Sequence, residues 1–232
     1  VAHLLYSNPM TQPLRQAIEI IISAVGQPSR ILEVGSRQAV NQNELADFRN
    51  SLPESKFIGL DMQKGPGVDV VANAEKLPFT DKSFDLVLCL ETLEHAEKPW
   101  LVAAEIERVL KPNGIAVVSS LQNQVVHLHP SDYFRYTPFG LKSLFPKLTS
   151  KLAFAISPPF DDEVKLNPQH IVLVGTKGDN KALMAKIKKS LRNNIDKISV
   201  HKPYRHRLEE IVRLLKRAVN EVSFRQEIEF FN

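Results

Sequence analysis

The feature that most constrains this chain is an alternation: short apolar runs of strand length recur between stretches with helical spacing. The runs fall at residues 30–34, 56–60, 68–71, 84–90 and 115–119. Each is short and apolar, as buried strands are. Before them, Leu14, Ala17, Ile18, Ile21 and Val25 mark one face of a helix that opens near Thr11 and Pro13 and closes at Gly26. Further helices are predicted at 43–50 and 93–110, the second stopped by Lys111-Pro112-Asn113-Gly114. Strands alternating with helices predict an α/β fold with a doubly wound parallel sheet.

After the fifth strand the pattern changes. A polar, proline-bearing stretch at 122–138 is too long for a routine connection, and loops of that length tend to carry function. A short helix near 140–145 and two late strands at 151–156 and 170–174 follow. This gives a body at 1–177 and a basic helical C-terminal extension at 178–232, split around His201-Lys202-Pro203. Leu208, Ile211, Val212, Leu215, Val219 and Val222 form an apolar stripe on its second helix, suited to pairing subunits or lying on a membrane surface.

Charge divides along the same boundary. Residues 177–232 hold 14 Lys and Arg against 7 Asp and Glu, while the rest carries 16 against 19. A mildly acidic body without interleaved basic and aromatic residues argues against a nucleic-acid partner. Hydrophobic residues at 43% and charged residues at 24% exclude wholesale disorder. Cys89 stands alone, which fits a reducing, cytoplasmic compartment. The N-terminal apolar stretch at 18–25 contains Glu19 and lacks a basic leader, so no signal peptide is expected there.

The first strand ends in Glu33-Val34-Gly35-Ser36-Arg37, where a doubly wound fold places its ligand loop. Dinucleotide loops use three glycines so that the backbone can approach a pyrophosphate. Here only Gly35 is present, and Glu33 suits a cationic ligand better than a pyrophosphate. The second strand ends in Gly59-Leu60-Asp61, followed by Met62, and a carboxylate at that tip can accept both hydroxyls of a ribose. A nucleoside without phosphates fits these demands.

Taken together, Glu-x-Gly at 33–35, Gly-Leu-Asp at 59–61, Asn73-Ala74-Glu75-x-Leu77-Pro78-Phe79, Ser83-Phe84-Asp85-x-Val87, Leu93-Glu94-His95 and Glu105-Ile106-x-Arg108-Val109-Leu110-Lys111-Pro112-x-Gly114 resemble the class I S-adenosylmethionine-dependent methyltransferases of the type 11 kind. The resemblance runs from about Leu14 to Lys177 and implies a Rossmann-like, seven-stranded, mostly parallel sheet with the last strand antiparallel. It implies that Glu33, Gly35 and Ser36 meet the methionine part of S-adenosylmethionine, Asp61 and Met62 the nucleoside, Asn73 and Ala74 the adenine, and Leu90 the methionine. Gly-Ser-Arg departs from the usual Gly-x-Gly, and Arg37 is a candidate donor to the cofactor carboxylate. The Gly-Ser-Arg loop, the run at 65–71 and the motif at 132–141 are similar to those of bacterial members associated with polysaccharide biosynthesis, which implies a sugar or glycan acceptor.

Methyl transfer to a hydroxyl needs a base or a Lewis acid near the acceptor. His95, His127 and His129 are the candidate bases. If 91–95 enters a helix, Glu91, Glu94 and His95 share a face. With His129, or else His127, they are similar to the divalent-metal site (magnesium or manganese) of small-RNA and ubiquinone-pathway O-methyltransferases. Asp132, Tyr133, Arg135 and Tyr136 suit a polar acceptor, with a loop closed on itself by an Asp–Arg pair as the competing reading. A quinone-like phenol, a lipid or an RNA ribose are alternative acceptors, and a non-catalytic scaffold is the alternative outside catalysis. Cys89, Phe79, Phe84 and Trp100 are expected to pack, His170 to open a late strand, and His3, His201 and His206 to have no companions.

Overall fold

The computed structural model describes residues 10–38, 46–124, 126–127, 131–156 and 168–198. Helix α1 spans Gln12–Val25. Thr11 caps it by accepting from the Leu14 amide, Pro13 sits in its first turn, and Gly26 ends it at φ 97°. These are the stop and start signals expected from the chain.

Seven strands follow: β1 (Arg30–Val34), β2 (Lys56–Asp61), β3 (Val70–Val71), β4 (Phe84–Leu90), β5 (Leu110–Leu121), β6 (Ser150–Ile156) and β7 (His170–Thr176). They form one sheet in the order β3-β2-β1-β4-β5-β7-β6. Pairing is parallel from β3 through β5, and β7 runs antiparallel to both β5 and β6. The Rossmann-like methyltransferase arrangement is thus present, and strand order reverses between β1 and β4. Ligands of such sheets bind beside that reversal, outside the strands' carboxyl ends.

Both faces of the sheet are covered, so the strands are apolar on both sides. Leu32, Val34, Val87 and Cys89 pack toward Val102 and Ile106 of α2 (Pro99–Val109) and Leu141 of α3 (Pro138–Ser143). The alternate residues Ile31, Leu86 and Leu88 pack toward Leu14, Ile18 and Ile21 of α1 and toward Met184 and Ile187 of α4 (Lys181–Asn193). Each fully buried Leu or Ile contributes about 1.5–3 kcal/mol of transfer free energy. Helix α4, the start of the basic extension, joins this second core, and its Lys186 Nζ donates to the Ala24 carbonyl that ends α1. A last turn, α5, spans Ile195–Ile198.

Three expectations are corrected. The helix predicted from 93 is a 3₁₀ turn at Leu93–His95, and α2 begins only at Pro99. Lys98, directly before that proline, sits at φ −123°, ψ 69°, because a residue preceding proline is pushed out of the helical region. The turn at 111–114 lies inside β5: Phe84 pairs Leu110, then Leu86 pairs Ile115, with Asn113 at φ 62°. Trp100 is 53% exposed rather than packed. Cys89 is buried, and Phe79 and Phe84 meet edge to face at 5.0 Å. Of the helix expected at 43–50, residues 46–50 are described, and they lead into a 3₁₀ turn at Arg49–Ser51. The stripe at 208–222 lies outside the described residues. Among the described residues, no helix is long and apolar enough to cross a membrane.

Candidate active site

A cleft of about 310 Å³ opens at the carboxyl ends of β1, β2 and β4, within the size range of small-molecule sites. The β1–β3 tips supply Gly35, Arg37, Asp61, Met62, Asn73 and Ala74 to its wall. The β4 side supplies Glu91, Thr92 and His95, and the loop before α3 supplies Ser131 and Tyr133.

The loop after β1 is pinned where a ligand would lie. Gly35 and Ser36 both donate their amides to Leu60 O, at 2.8 and 3.1 Å. Gly35 takes φ 78°, a conformation that costs other residues about 1–2 kcal/mol. Asp61 accepts from the Arg37 amide at 3.3 Å and from the Gln63 amide at 2.8 Å. A carboxylate has acceptor capacity for more than two bonds, so Asp61 remains able to take a ribose diol. Asn73 accepts from the Glu75 amide through Oδ1 at 2.8 Å, which leaves its amide hydrogens to donate. The Arg37 side chain lies against Gly65, where a Cβ would sit 3.0 Å from its Nε.

Three residues assigned to the cofactor by resemblance are not on this wall. Glu33, Ser36 and Leu90 are buried, at 8%, 5% and 7% exposure. Burial pushes the Glu33 carboxyl up to about 8, against the opposing pull of Arg49.

On the acceptor side, His95 Nδ1 lies 2.5 Å from Ser131 O. A carbonyl only accepts, so the proton sits on Nδ1, and in the neutral ring Nε2 holds the lone pair. His127 lies close by, its ring 4.9 Å from that of His95. Its Nδ1 faces Asp132 Oδ2 at 3.1 Å, and its amide donates to the same oxygen at 2.9 Å. Asp132 is closed further by both terminal nitrogens of Arg135. Burial alone would raise the Asp132 carboxyl, but Arg135 and the His127 amide outweigh it and hold it below its usual range.

Asp132 and Arg135 are therefore consumed in holding the loop rather than presented to an acceptor. Tyr136 is also turned inward, 7% exposed with its hydroxyl donating to Leu93 O at 3.2 Å. Of the four candidate acceptor residues, Tyr133 alone is on the cleft wall. Its amide and that of Phe134 donate to Glu94 O, at 2.7 and 3.3 Å, and fasten the loop to the 3₁₀ turn.

The expected convergence of Glu91, Glu94 and His95 does not occur. Glu91 lies outside the 3₁₀ turn at φ 48°. Its carboxylate turns to Ser119 Oγ at 2.7 Å and to His170 Nδ1 at 3.2 Å. His170 thus has a buried companion that sequence did not reveal, because 79 residues separate the two. Glu94, His95 and His127 instead offer one ligand atom each, all within 4.8 Å of one another. Glu94 accepts from Ser120 Oγ at 2.7 Å, while its Oε1 has no hydrogen-bond partner among the described residues. Burial and the nearby charge of Glu91 push the Glu94 carboxyl well up. His129 lies outside the described residues. Thr92 was also missed, although it stands inside the Glu-x-x-Glu-His motif, because its role depends on what faces Gly35.

Comparison with known proteins agrees with this architecture. Residues 32–118 match the methyltransferase-domain family. An uncharacterized methyltransferase of Mycobacterium marinum is 46% identical over 55 residues, which are 24% of this chain and 22% of that protein. The chain thus aligns with about a fifth of the length of such relatives. A crystal structure of an S-adenosylmethionine-dependent methyltransferase from Archaeoglobus fulgidus superposes with a TM-score of 0.53 at 17% identity, covering 70% of this chain and 94% of that one. A Burkholderia thailandensis 1,6-didemethyltoxoflavin N1-methyltransferase, solved with S-adenosylhomocysteine, gives 0.52 at 17% identity over 72% of this chain and 79% of its own. The chain holds the Rossmann-like methyltransferase fold, and its residues 32–118 match the methyltransferase domain.

Proposed function

We propose that this protein transfers the methyl group of S-adenosylmethionine to an oxygen of a hydroxyl acceptor, of the kind a sugar or glycan precursor presents. The reading rests on one observation: a single cleft at the strand-order reversal is lined by Asp61 from β2 and by His95 from beyond β4. S-adenosylmethionine, when bound, supplies an electrophilic methyl on a sulfonium. Asp61 orients the nucleoside by accepting from its hydroxyls, and Asn73 donates to the base. Tyr133 offers an aromatic face to the acceptor. His95 Nε2 takes the acceptor's hydroxyl proton as the new carbon–oxygen bond forms and the carbon–sulfur bond breaks, releasing S-adenosylhomocysteine. Holding donor and acceptor in line supplies much of the acceleration. Fold neighbours include an N-methyltransferase, so the choice of oxygen rests on the base rather than on the fold.

A second reading concerns a divalent cation. Glu94, His95 and His127 fit one as a carboxylate and two imidazoles, with Ser120, Ser131 and Asp132 as their outer partners. Bound there, magnesium or manganese would act as a Lewis acid on the acceptor hydroxyl. Calorimetry with S-adenosylmethionine and S-adenosylhomocysteine tests the first step. Acceptor-stimulated S-adenosylhomocysteine production across sugar, phenol, lipid and RNA panels tests the second. Tight cofactor binding without turnover on any panel would favour a scaffold, and turnover insensitive to chelators would exclude the cation. The basic extension is proposed to pair subunits or to meet an anionic membrane surface; vesicle sedimentation and mass photometry separate the two.

A further inference from the structure

The Arg37 side chain leaves the tip of β1 toward β2 rather than toward β4. A Cβ built at Gly65, in the connection from β2 to β3, would lie 3.0 Å from its Nε, 3.1 Å from its Cγ and 3.3 Å from its Cδ. We infer that Arg37 reads the ribose of the sulfonium nucleoside jointly with Asp61, and leaves the amino-acid end to the other side of the cleft. This deepens the S-adenosylmethionine reading and rests on it. It departs from the role of carboxylate donor that the resemblance suggested for Arg37.

Gly65 belongs to a turn that is fixed before any ligand arrives. The Val68 amide donates to Gly65 O at 3.2 Å, the Gln38 amide to Pro66 O at 3.0 Å, and Arg49 Nη2 to Gly67 O at 3.0 Å. Gly67 takes φ 83°, and a Cβ there would meet Ser36 O at 2.5 Å. The turn and the loop after β1 therefore pack backbone on backbone, and the bare face of Gly65 receives the Arg37 arm. The guanidinium itself is unspent. Arg37 is exposed and lines the cleft, and its side chain makes no hydrogen bond or ion pair among the described residues.

Strand order decides which end of the ligand this arm meets. In β3-β2-β1-β4, Asp61, Asn73 and Ala74 line the cleft on one side of β1, and Thr92 and His95 line it on the other. A methyl aimed at an acceptor beside His95 puts the sulfonium toward β4 and the sugar toward Asp61. An arm that runs to the β2–β3 connection therefore stands at the sugar. The Arg37 amide already reaches Asp61 Oδ2 at 3.3 Å, so the two residues are neighbours. A hydroxyl both donates and accepts, whereas a carboxylate only accepts and a guanidinium only donates. Each ribose hydroxyl gives its hydrogen to Asp61 and offers its lone pairs to the planar fork of Arg37. Neither residue alone satisfies both halves of a diol.

The test is calorimetry on the full chain with three probes: S-adenosylhomocysteine, methylthioadenosine, which lacks the amino-acid end, and the 2′,3′-dideoxy form of methylthioadenosine. If the parent binds neither of the first two, the cofactor reading itself fails and the role of Arg37 falls with it. If the parent binds S-adenosylhomocysteine alone, the cofactor reading stands and the sugar-centred grip is overturned. If it binds both, Arg37→Ala should weaken the two by the same factor, about tenfold, the size of one charge-assisted hydrogen bond. Loss confined to S-adenosylhomocysteine would return Arg37 to the cofactor carboxylate, and no loss with either would leave it idle. Both results overturn the inference while the cofactor reading stands. Removing the two hydroxyls should cost less affinity in Arg37→Ala than in the parent, and an equal cost overturns the sugar contact. The Arg37 side chain is exposed and makes no internal bond, so an unchanged melting temperature is expected of the variant and reports that its cleft is folded.

Discussion

Thr92 fills the space that a side chain on Gly35 would need: a Cβ built at residue 35 would lie 2.1 Å from Thr92 Oγ1. The Thr92 hydroxyl is itself placed against Leu90 O at 2.9 Å and Val34 O at 3.3 Å, so it bridges the ends of β1 and β4. One glycine with a threonine behind it thus shapes this end of the cleft, where a glycine-rich loop would otherwise do so. Gly35→Ala must both hold φ 78° and displace that bridge. It is expected to lower stability by about 2 kcal/mol and to abolish measurable S-adenosylmethionine affinity. Adding Thr92→Ala relieves the contact but not the backbone strain, so urea titration should show only partial recovery; full recovery would show that strain at Gly35 is negligible.

Glu33 predicts a pH dependence of stability. Its carboxyl is raised by burial from an ordinary 4.5 to about 8. Between those values the folded chain keeps a proton that the unfolded chain has lost. Stability contributed at this residue is therefore present below pH about 4.5 and falls as pH rises toward 8. Glu33→Gln should remove that fall, so that its urea midpoint gains on the parent's between pH 5 and pH 8. Parallel midpoint curves would count against a buried, protonated Glu33.

Arg135 is expected to act on the loop rather than on the acceptor. Arg135→Met leaves Asp132, whose side chain is 1% exposed, without its cationic partner. Breaking a fully buried pair costs about 3–5 kcal/mol; Arg135 is 26% exposed, so a smaller loss, on the order of 2 kcal/mol, is expected. Acceptor KM should rise together with faster protease cleavage in the segment 122–138. A raised KM with unchanged proteolysis would instead place Arg135 against the acceptor.

Glu94, His95 and His127 make the cation reading measurable without any acceptor. Manganese should raise the melting temperature of the parent in a concentration-dependent way, as any ligand that binds only the folded state does. His127→Ala and Glu94→Gln should each abolish the shift. Glu91→Gln should preserve it, because Glu91 is turned to Ser119 and His170. Loss of the shift in Glu91→Gln would restore Glu91 to the ligand set.

Much of the molecule was legible along the chain. The capped α1, the bounds of β1 and β4, the seven strands and the position of Asp61 at a strand tip follow from local signals: spacing, caps and turn residues. Such signals are fixed by steric and hydrogen-bond demands within a few residues. The helix at 93–110 was misjudged because apolar spacing continued through Pro99, while the proline's effect on Lys98 broke the helix there.

What only the tertiary structure decided is which polar groups point where. Sequence placed Glu91, Glu94 and His95 together and could not choose among the histidines of the long loop. Folding sent Glu91 to His170, brought His127 beside Glu94, and closed Asp132 on Arg135. Polar side chains settle according to partners brought in from distant strands and loops, because a buried polar group must find its bond wherever the fold supplies one. The apolar pattern determines the sheet, and the pairing of buried polar groups across that sheet determines the site.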